Sequence, residues 1–226
     1  MRSAFAALFI AMLASTPVRA TGDLAAMSVV QEDCAHVGDI AFGDQQRWAA
    51  CRVTRGRWVA TIDLVDLYQA QYCLGGAEGA CEQRALMVFG NRAYTPVARL
   101  LVQRMDSGDS QYDDPQVVKN SLGRFMTLSA HLPDGASSSS HFLWQAGQWL
   151  PVDSDAWLGE LAGKLPAGVT ARQVGALDFN TDPVSAQAKL YRPGDADCCP
   201  SAGVARVELG LASQRFSLKT VSIAKE

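Results

Sequence analysis

Between Val204 and Leu211 the chain alternates residue by residue. Val204, Arg206, Glu208 and Gly210 interleave with Ala205, Val207, Leu209 and Leu211. A short polar turn, Ala212-Ser213-Gln214, follows, and Phe216, Leu218 and Val221 mark a second run. Alternation with period two on both sides of a tight turn predicts an antiparallel hairpin, because successive strand side chains point to opposite faces. Two earlier segments share its layout of run, long small-residue loop, run, tight turn with an aromatic just after it, and run. One goes from Arg124–Ser129 through Asp134–Ser140 to His141–Trp144, turns at Ala146-Gly147 and resumes at Trp149-Leu150. The other goes from Trp58–Ile62 through a Gly/Cys loop to Ala85–Phe89, turns at Gly90-Asn91-Arg92 and resumes at Tyr94 up to Val102. The third unit begins at Ala188–Tyr191, and its loop is Gly194–Gly203. The expectation is three repeated three-stranded units.

Helical spacing is rarer. Trp157, Leu158, Leu161, Ala162 and Leu165 share one helix face, Asp153 or Ser154 precedes as a cap, and Pro166 and Gly168 stop the run. Leu24–Glu32 reads as a second helix, and Pro183–Lys189 as a short helical turn. The fold expected is mainly β, built of antiparallel hairpins with a few short connecting helices; α+β is the alternative.

The N-terminus changes the count of residues that fold. Arg2 precedes an apolar run, Ala4–Ala14, which Thr16 and Pro17 break; Val18-Arg19-Ala20 puts small residues at −3 and −1 of a cleavage site. This pattern predicts a signal peptide over 1–20 and a periplasmic or secreted protein. The run is too short to span a bilayer, and no cysteine follows it closely enough for a lipid anchor. Residues 21–226 are then one compact domain, with a weak subdivision near 106–120. Losing Arg2 and Arg19 takes Lys+Arg from 20 to 18 against 23 Asp+Glu, so the net charge moves from −3 to −5. That balance gives no footprint for nucleic acid.

An oxidising compartment predicts that the six cysteines pair. Proximity favours Cys34 with Cys51 and Cys73 with Cys81, each short loop contributing roughly 2.5–3 kcal/mol. Cys198 and Cys199 remain. They either bond to each other in a strained ring or pair elsewhere, for example with Cys34 or Cys51, and the sequence leaves both open.

Around that pair the chain resembles a known group. Trp149, Trp157-x-x-x-Leu161, Leu165-Pro166-x-Gly168 and the Asp-Ala-Asp-Cys-Cys-Pro-Ser stretch over 195–201 carry the resemblance. The group is a loose set of exported Gram-negative bacterial proteins without a characterised activity. The resemblance covers about the C-terminal half and implies a periplasmic location. The loop also faintly resembles those of exported β-repeat proteins with D-x-D before a strand, but lacks their longer calcium-binding run.

No H-E-x-x-H, G-x-S-x-G, P-loop, G-x-G-x-x-G or C-x-x-C is present. Asp195 and Asp197, two apart, could share a calcium ion through oxygen ligands or simply order a turn. The histidines are His36, His131 and His141; a hairpin joining the last two would allow a metal site. Asp63 and Asp66 are a carboxylate pair, while Asp106, Asp109, Asp113 and Asp114 sit among Gly and Ser and read as a solvated loop. Trp48, Trp58, Trp144, Trp149 and Trp157 read mostly as core, with a ligand-binding face as the alternative.

The expected function is a non-catalytic periplasmic protein that binds or inhibits an envelope protein or supports the envelope. The alternatives are a metal- or disulfide-dependent enzyme centred on 194–203, and a glycan- or lipid-binding module. Apart from calcium at Asp195 and Asp197, no cofactor is expected.

Overall fold

A computed structural model describes residues 24–35, 50–76, 80–92 and 95–224. The predicted signal peptide, His36, Trp48 and Tyr94 lie outside these residues. Among the described residues the protein is mainly β, in three antiparallel sheets with two short helices.

The first sheet has β1 (Leu24–Ala26), β2 (Arg52–Ile62), β3 (Val65–Leu74), β4 (Gln83–Arg92) and β5 (Val97–Ser107), ordered β1-β5-β4-β3-β2. The second has β6 (Gln111–Tyr112), β7 (Gln116–Asn120), β8 (Gly123–His131), β9 (Ser137–Gln145) and β10 (Gln148–Pro151). Its order is β10-β9-β8-β6, and β7 also pairs with β8. The third runs β11 (Thr170–Val174), β12 (Ser185–Tyr191), β13 (Gly203–Ala212) and β14 (Arg215–Ala224) in sequence order. Each sheet has a hairpin that closes on a two-residue turn with both φ positive: Asp63-Leu64, Ala146-Gly147 and Ser213-Gln214. That twist matches the twist of the strands they join.

The three units are present as three meanders, but their contents differ from expectation. Residues 65–74 of the first unit are strand, not part of a Gly/Cys loop. β3 is buried on both faces, so Gln69, Gln71 and Cys73 replace the apolar residues that would have made its alternation visible. The turn expected at Gly90-Asn91-Arg92 falls later. β4 runs through Arg92, and buried Asn91 reaches past the strand end to donate Nδ2–H to the carbonyls of Thr95 and Val97. Pro183–Lys189 is not helical. Ala186, Ala188 and Leu190 are buried between exposed Gln187 and Lys189, the period of the strand they form. Leu24–Glu32 divides into β1 and α1 (Met27–Glu32).

The predicted C-terminal helix is α2 (Ala156–Ala162), which buries Trp157 and Leu161. Its N-cap is Asp155, one residue beyond Ser154, and without a side-chain cap bond. α2 covers the edge of the third sheet: Glu160 Oε2 accepts the Leu218 N–H at 2.9 Å. An edge strand with a satisfied N–H is less open to pairing with another chain.

Alternation along β8 explains how the sheets stack. Phe125 joins the core of the third sheet, with Leu143, Trp157, Leu161, Phe179, Leu190, Leu209 and Phe216. Met126, Leu128 and Ala130 point the other way, against Leu67, Leu86, Val88 and Val102 of the first sheet. The remaining face of the first sheet packs on α1 through Tyr72, Met87, Phe89 and Val30. The second sheet is therefore sandwiched between the other two. Arg104 fastens the first two sheets: Nη1 donates to the carbonyls of Leu128 and Ser138 at 3.0 Å, and Nε pairs with Asp106 at 2.6 Å.

Candidate functional site

The apolar contact between the first and second sheets does not reach the turn end of the strands. There it opens into a cleft of about 530 Å³. Register shows why. Val65 faces Arg92 across β3 and β4, and Gly90 faces Arg99 across β4 and β5. These four positions share one sheet face with buried Leu67, Val88 and Val102, but lie beyond them. Val65, Val97 and Leu101 make an aliphatic floor, and Arg92 and Arg99 one wall. A side chain on Gly90 would put Cβ 2.7 Å from Leu101 Cδ1 and 3.0 Å from Val65 Cγ1. The glycine lets Leu101 lie flat and keeps the floor low.

The opposite wall is Trp144, one position before the end of β9, with Gly147 and Asp63. Asp63 Oδ2 accepts the Trp144 Nε1–H at 3.0 Å and an Arg124 Nη1–H at 3.2 Å. One carboxylate thus fixes the indole and is itself neutralised. Among the described residues the Arg92 guanidinium has no ion-pair or hydrogen-bond partner. The geometry suits a small ligand with an apolar body: the cleft is concave, mostly apolar and carries a few charged groups.

A second cavity, about 490 Å³, lies between β9 and the third sheet, lined by Ser137, Ser139, His141, Asp155, Trp157 and Leu177 among others. Its β9 wall is a polar ladder of three bonded cross-strand pairs: Thr127 with His141 (3.0 Å), Ser129 with Ser139 (2.9 Å) and His131 with Ser137 (3.1 Å). Burial pushes the His141 imidazole down to about 4, which keeps it neutral. His131 and His141 do not meet. Four strand positions separate their rungs, roughly 13 Å. His131 also reaches Asp113 at 3.1 Å, so Ser137, His131 and Asp113 form a chain of the kind that activates a nucleophile. The adjoining loop has most of its N–H donors committed. Its N–H groups at Leu132, Gly135 and Ala136 already donate to Ala136 O, Leu132 O and Asp134 Oδ1.

The 194–203 loop is organised by its aspartates separately. Asp195 accepts the N–H of Arg192 (2.7 Å) and the N–H and hydroxyl of Ser201. The Arg192 N–H bond foremost, then those from Ser201, holds this carboxyl below its ordinary range. Asp197 instead pairs with Arg172 at 3.0 Å, and its carbonyl accepts the Tyr191 hydroxyl. No group of three or more His, Cys, Asp or Glu able to hold a metal occurs among the described residues. The disulfides are Cys34–Cys51, Cys73–Cys81 and Cys198–Cys199, so of the two alternatives for the last pair the adjacent bond is the one formed.

Other expected sites divide. Trp149 and Trp157 are core, Trp58 is 53% exposed, and Trp144 lines the cleft. Asp63 and Asp66 are not a working pair, since Asp66 accepts from Thr61. The acidic stretch after β5 is only partly solvated. Asp106 pairs with buried Arg104; Asp114 accepts from Arg55, Arg57 and Gln69; Ser110 is fully buried. For Asp106, burial alone would raise the carboxyl, but bonds from Arg104 and Tyr112 and the Arg104 charge outweigh it and hold it low. Composition signalled solvent there because the partners of Asp114 come from strands distant in sequence. Arg92 and Arg99 escaped the sequence reading for the same reason: nothing local marks them as facing Trp144.

No family model, curated protein or solved structure matches this chain.

Proposed function

We propose that this is a non-catalytic binding protein of the periplasm or extracellular space, acting through the cleft between the first two sheets. The observation that carries the reading is the Arg92 guanidinium, without a partner among the described residues, over an aliphatic floor and opposite a tryptophan held in place by Asp63. Fixed geometry lowers the ordering cost of binding, and an uncommitted guanidinium supplies an orienting charge. The exported location rests on the signal pattern of residues 1–20. An envelope protein could present the ligand as one of its own groups, so the cleft reading includes the expected envelope partner.

The test is amide chemical-shift mapping of the mature protein against separate panels of peptides, glycans, amphiphiles and small carboxylates. Perturbation centred on residues 63–65, 90–101 and 144–147 by at least one panel supports the reading. Turnover of a substrate that survives Arg92→Ala and Trp144→Phe sinks it, and so does perturbation by every binder only elsewhere.

A second reading, redox function at 194–203, has one observation in its favour: the Cys198–Cys199 bond lies exposed on its loop. Mild reduction followed by thiol labelling tests it. Labelled Cys198 and Cys199 with no change in any partner's redox state would count against it.

A further inference from the structure

The cleft's chemistry narrows its ligand, and this step rests on the binding reading just proposed. Its floor offers Val65, Val97, Leu101 and Gly90, and the Thr95 hydroxyl beside them already donates to the Arg92 and Val97 carbonyls. A sugar laid there would lose water from its hydroxyls and gain no hydrogen bonds in return, a cost of roughly 1–3 kcal/mol for each stranded group. Apolar surface has no such penalty and is favoured in proportion to area. Val97 is 41% exposed, and Leu64, between two lining residues, is 81% exposed, so apolar surface continues to the mouth.

The charge is equally one-sided. Arg92 and Arg99 line the cleft, Arg124 adjoins it, and among the described residues Asp63 is the only carboxylate on its lining. Asp63 is already bonded to Arg124 and Trp144. Among the described residues the Arg92 charge thus stays unmatched, in a chain whose net charge is −3. Arg92 and Arg99 sit on neighbouring strands on the same face as the floor, so an anionic group held by them leaves its apolar tail along Val97, Leu101 and Val65, with Trp144 opposite.

We infer that the cleft binds a single-chain anionic amphiphile, its head on Arg92 with Arg99 and its alkyl chain between the aliphatic floor and the Trp144 ring. Carboxylate and phosphate heads share the needed chemistry, since a guanidinium receives either through paired N–H donors. Trp144 packs on the chain while Asp63 keeps its indole N–H occupied, which makes Asp63 a positioning residue.

The experiment titrates the mature protein, by calorimetry and tryptophan emission below micelle concentrations, with dodecanoate, dodecyl phosphate, dodecyltrimethylammonium and butanoate. Dodecanoate or dodecyl phosphate should bind, and comparison of the two identifies the preferred head. The cation and butanoate should bind at least tenfold more weakly. Arg92→Ala should weaken the preferred ligand about tenfold, and Arg92→Glu more; Arg92 is exposed, so both substitutions leave the core untouched. Val97→Ser should weaken dodecanoate and leave butanoate unchanged. Raising salt should weaken wild-type binding more than that of Arg92→Ala.

Equal binding of the cation, equal binding of butanoate, or indifference to both Arg92 variants overturns this inference. The broader binding reading survives those results if another panel still perturbs the cleft residues. It fails separately if none does.

Discussion

At the scale of single residues, glycines and a histidine set the sharpest constraints. A Cβ on Gly108 would lie 1.7 Å from the Cys81 carbonyl oxygen, where backbone and not a flexible side chain is in the way. The Gly108 N–H donates to Glu82 O and its carbonyl accepts from Arg84, so the strand end is held against the Cys73–Cys81 loop. Gly108→Ala should therefore cost about 3 kcal/mol or more, read as a lower urea midpoint. Gly90→Ala meets side chains and should cost less, while raising the cleft floor. His141 makes a pH prediction of definite sign. Its pKa falls from 6.5 to about 4 on folding. The unfolded chain therefore binds the proton more readily between those values. Stability is complete above pH 6.5 and is lost as pH falls toward 4, by roughly 3 kcal/mol at most. Urea unfolding at pH 7, 5.5 and 4.5 should show this decline, and His141→Gln should flatten it. A variant that keeps the full decline would place the sensitivity outside His141.

At the scale of elements, the sheets are joined by a few long polar side chains as well as by their apolar faces. Arg104, 8% exposed, crosses from β5 to two carbonyls of the second sheet and pairs with Asp106. Arg104→Ala strands those groups and should cost about 3–5 kcal/mol in denaturant unfolding. Arg104→Lys keeps the charge but loses the planar fork, and should recover only part of the loss. The edge strand β2 shows a different balance. Arg55 and Arg57 lie on the face of Gln71 and Gln69 and share Asp114, so their charges shield an otherwise exposed edge. Both pairs are half-exposed, and single substitutions there should change stability by under about 1 kcal/mol.

At the scale of the molecule, three sheets stack so that the second contributes one face to each neighbour. The disulfides serve this arrangement unequally. Cys34–Cys51 closes a 17-residue separation and should contribute about 3 kcal/mol; Cys198–Cys199 spans neighbouring residues and should contribute almost nothing. Stepwise reduction with alkylation and mass mapping should open Cys198–Cys199 first, with no shift in Tm. Cys73–Cys81, whose Cys73 is fully buried, should open late.

What the amino-acid sequence determined by itself is whatever depends on near neighbours along the chain. The β13–β14 hairpin was legible because its residues alternate and its turn is adjacent. The Trp157–Leu161 helix was legible from spacing, and the two short-range disulfides from proximity. The tertiary structure alone decided what depends on register between distant segments. β3 was hidden because a strand buried on both faces need not alternate, and its glutamines bond to one another and to a residue 45 positions away. The cleft was hidden because it is made where packing stops. Arg92, Arg99, Asp63 and Trp144 converge only once β4 pairs with β5 and the second sheet settles on the first, and no local pattern encodes that distance.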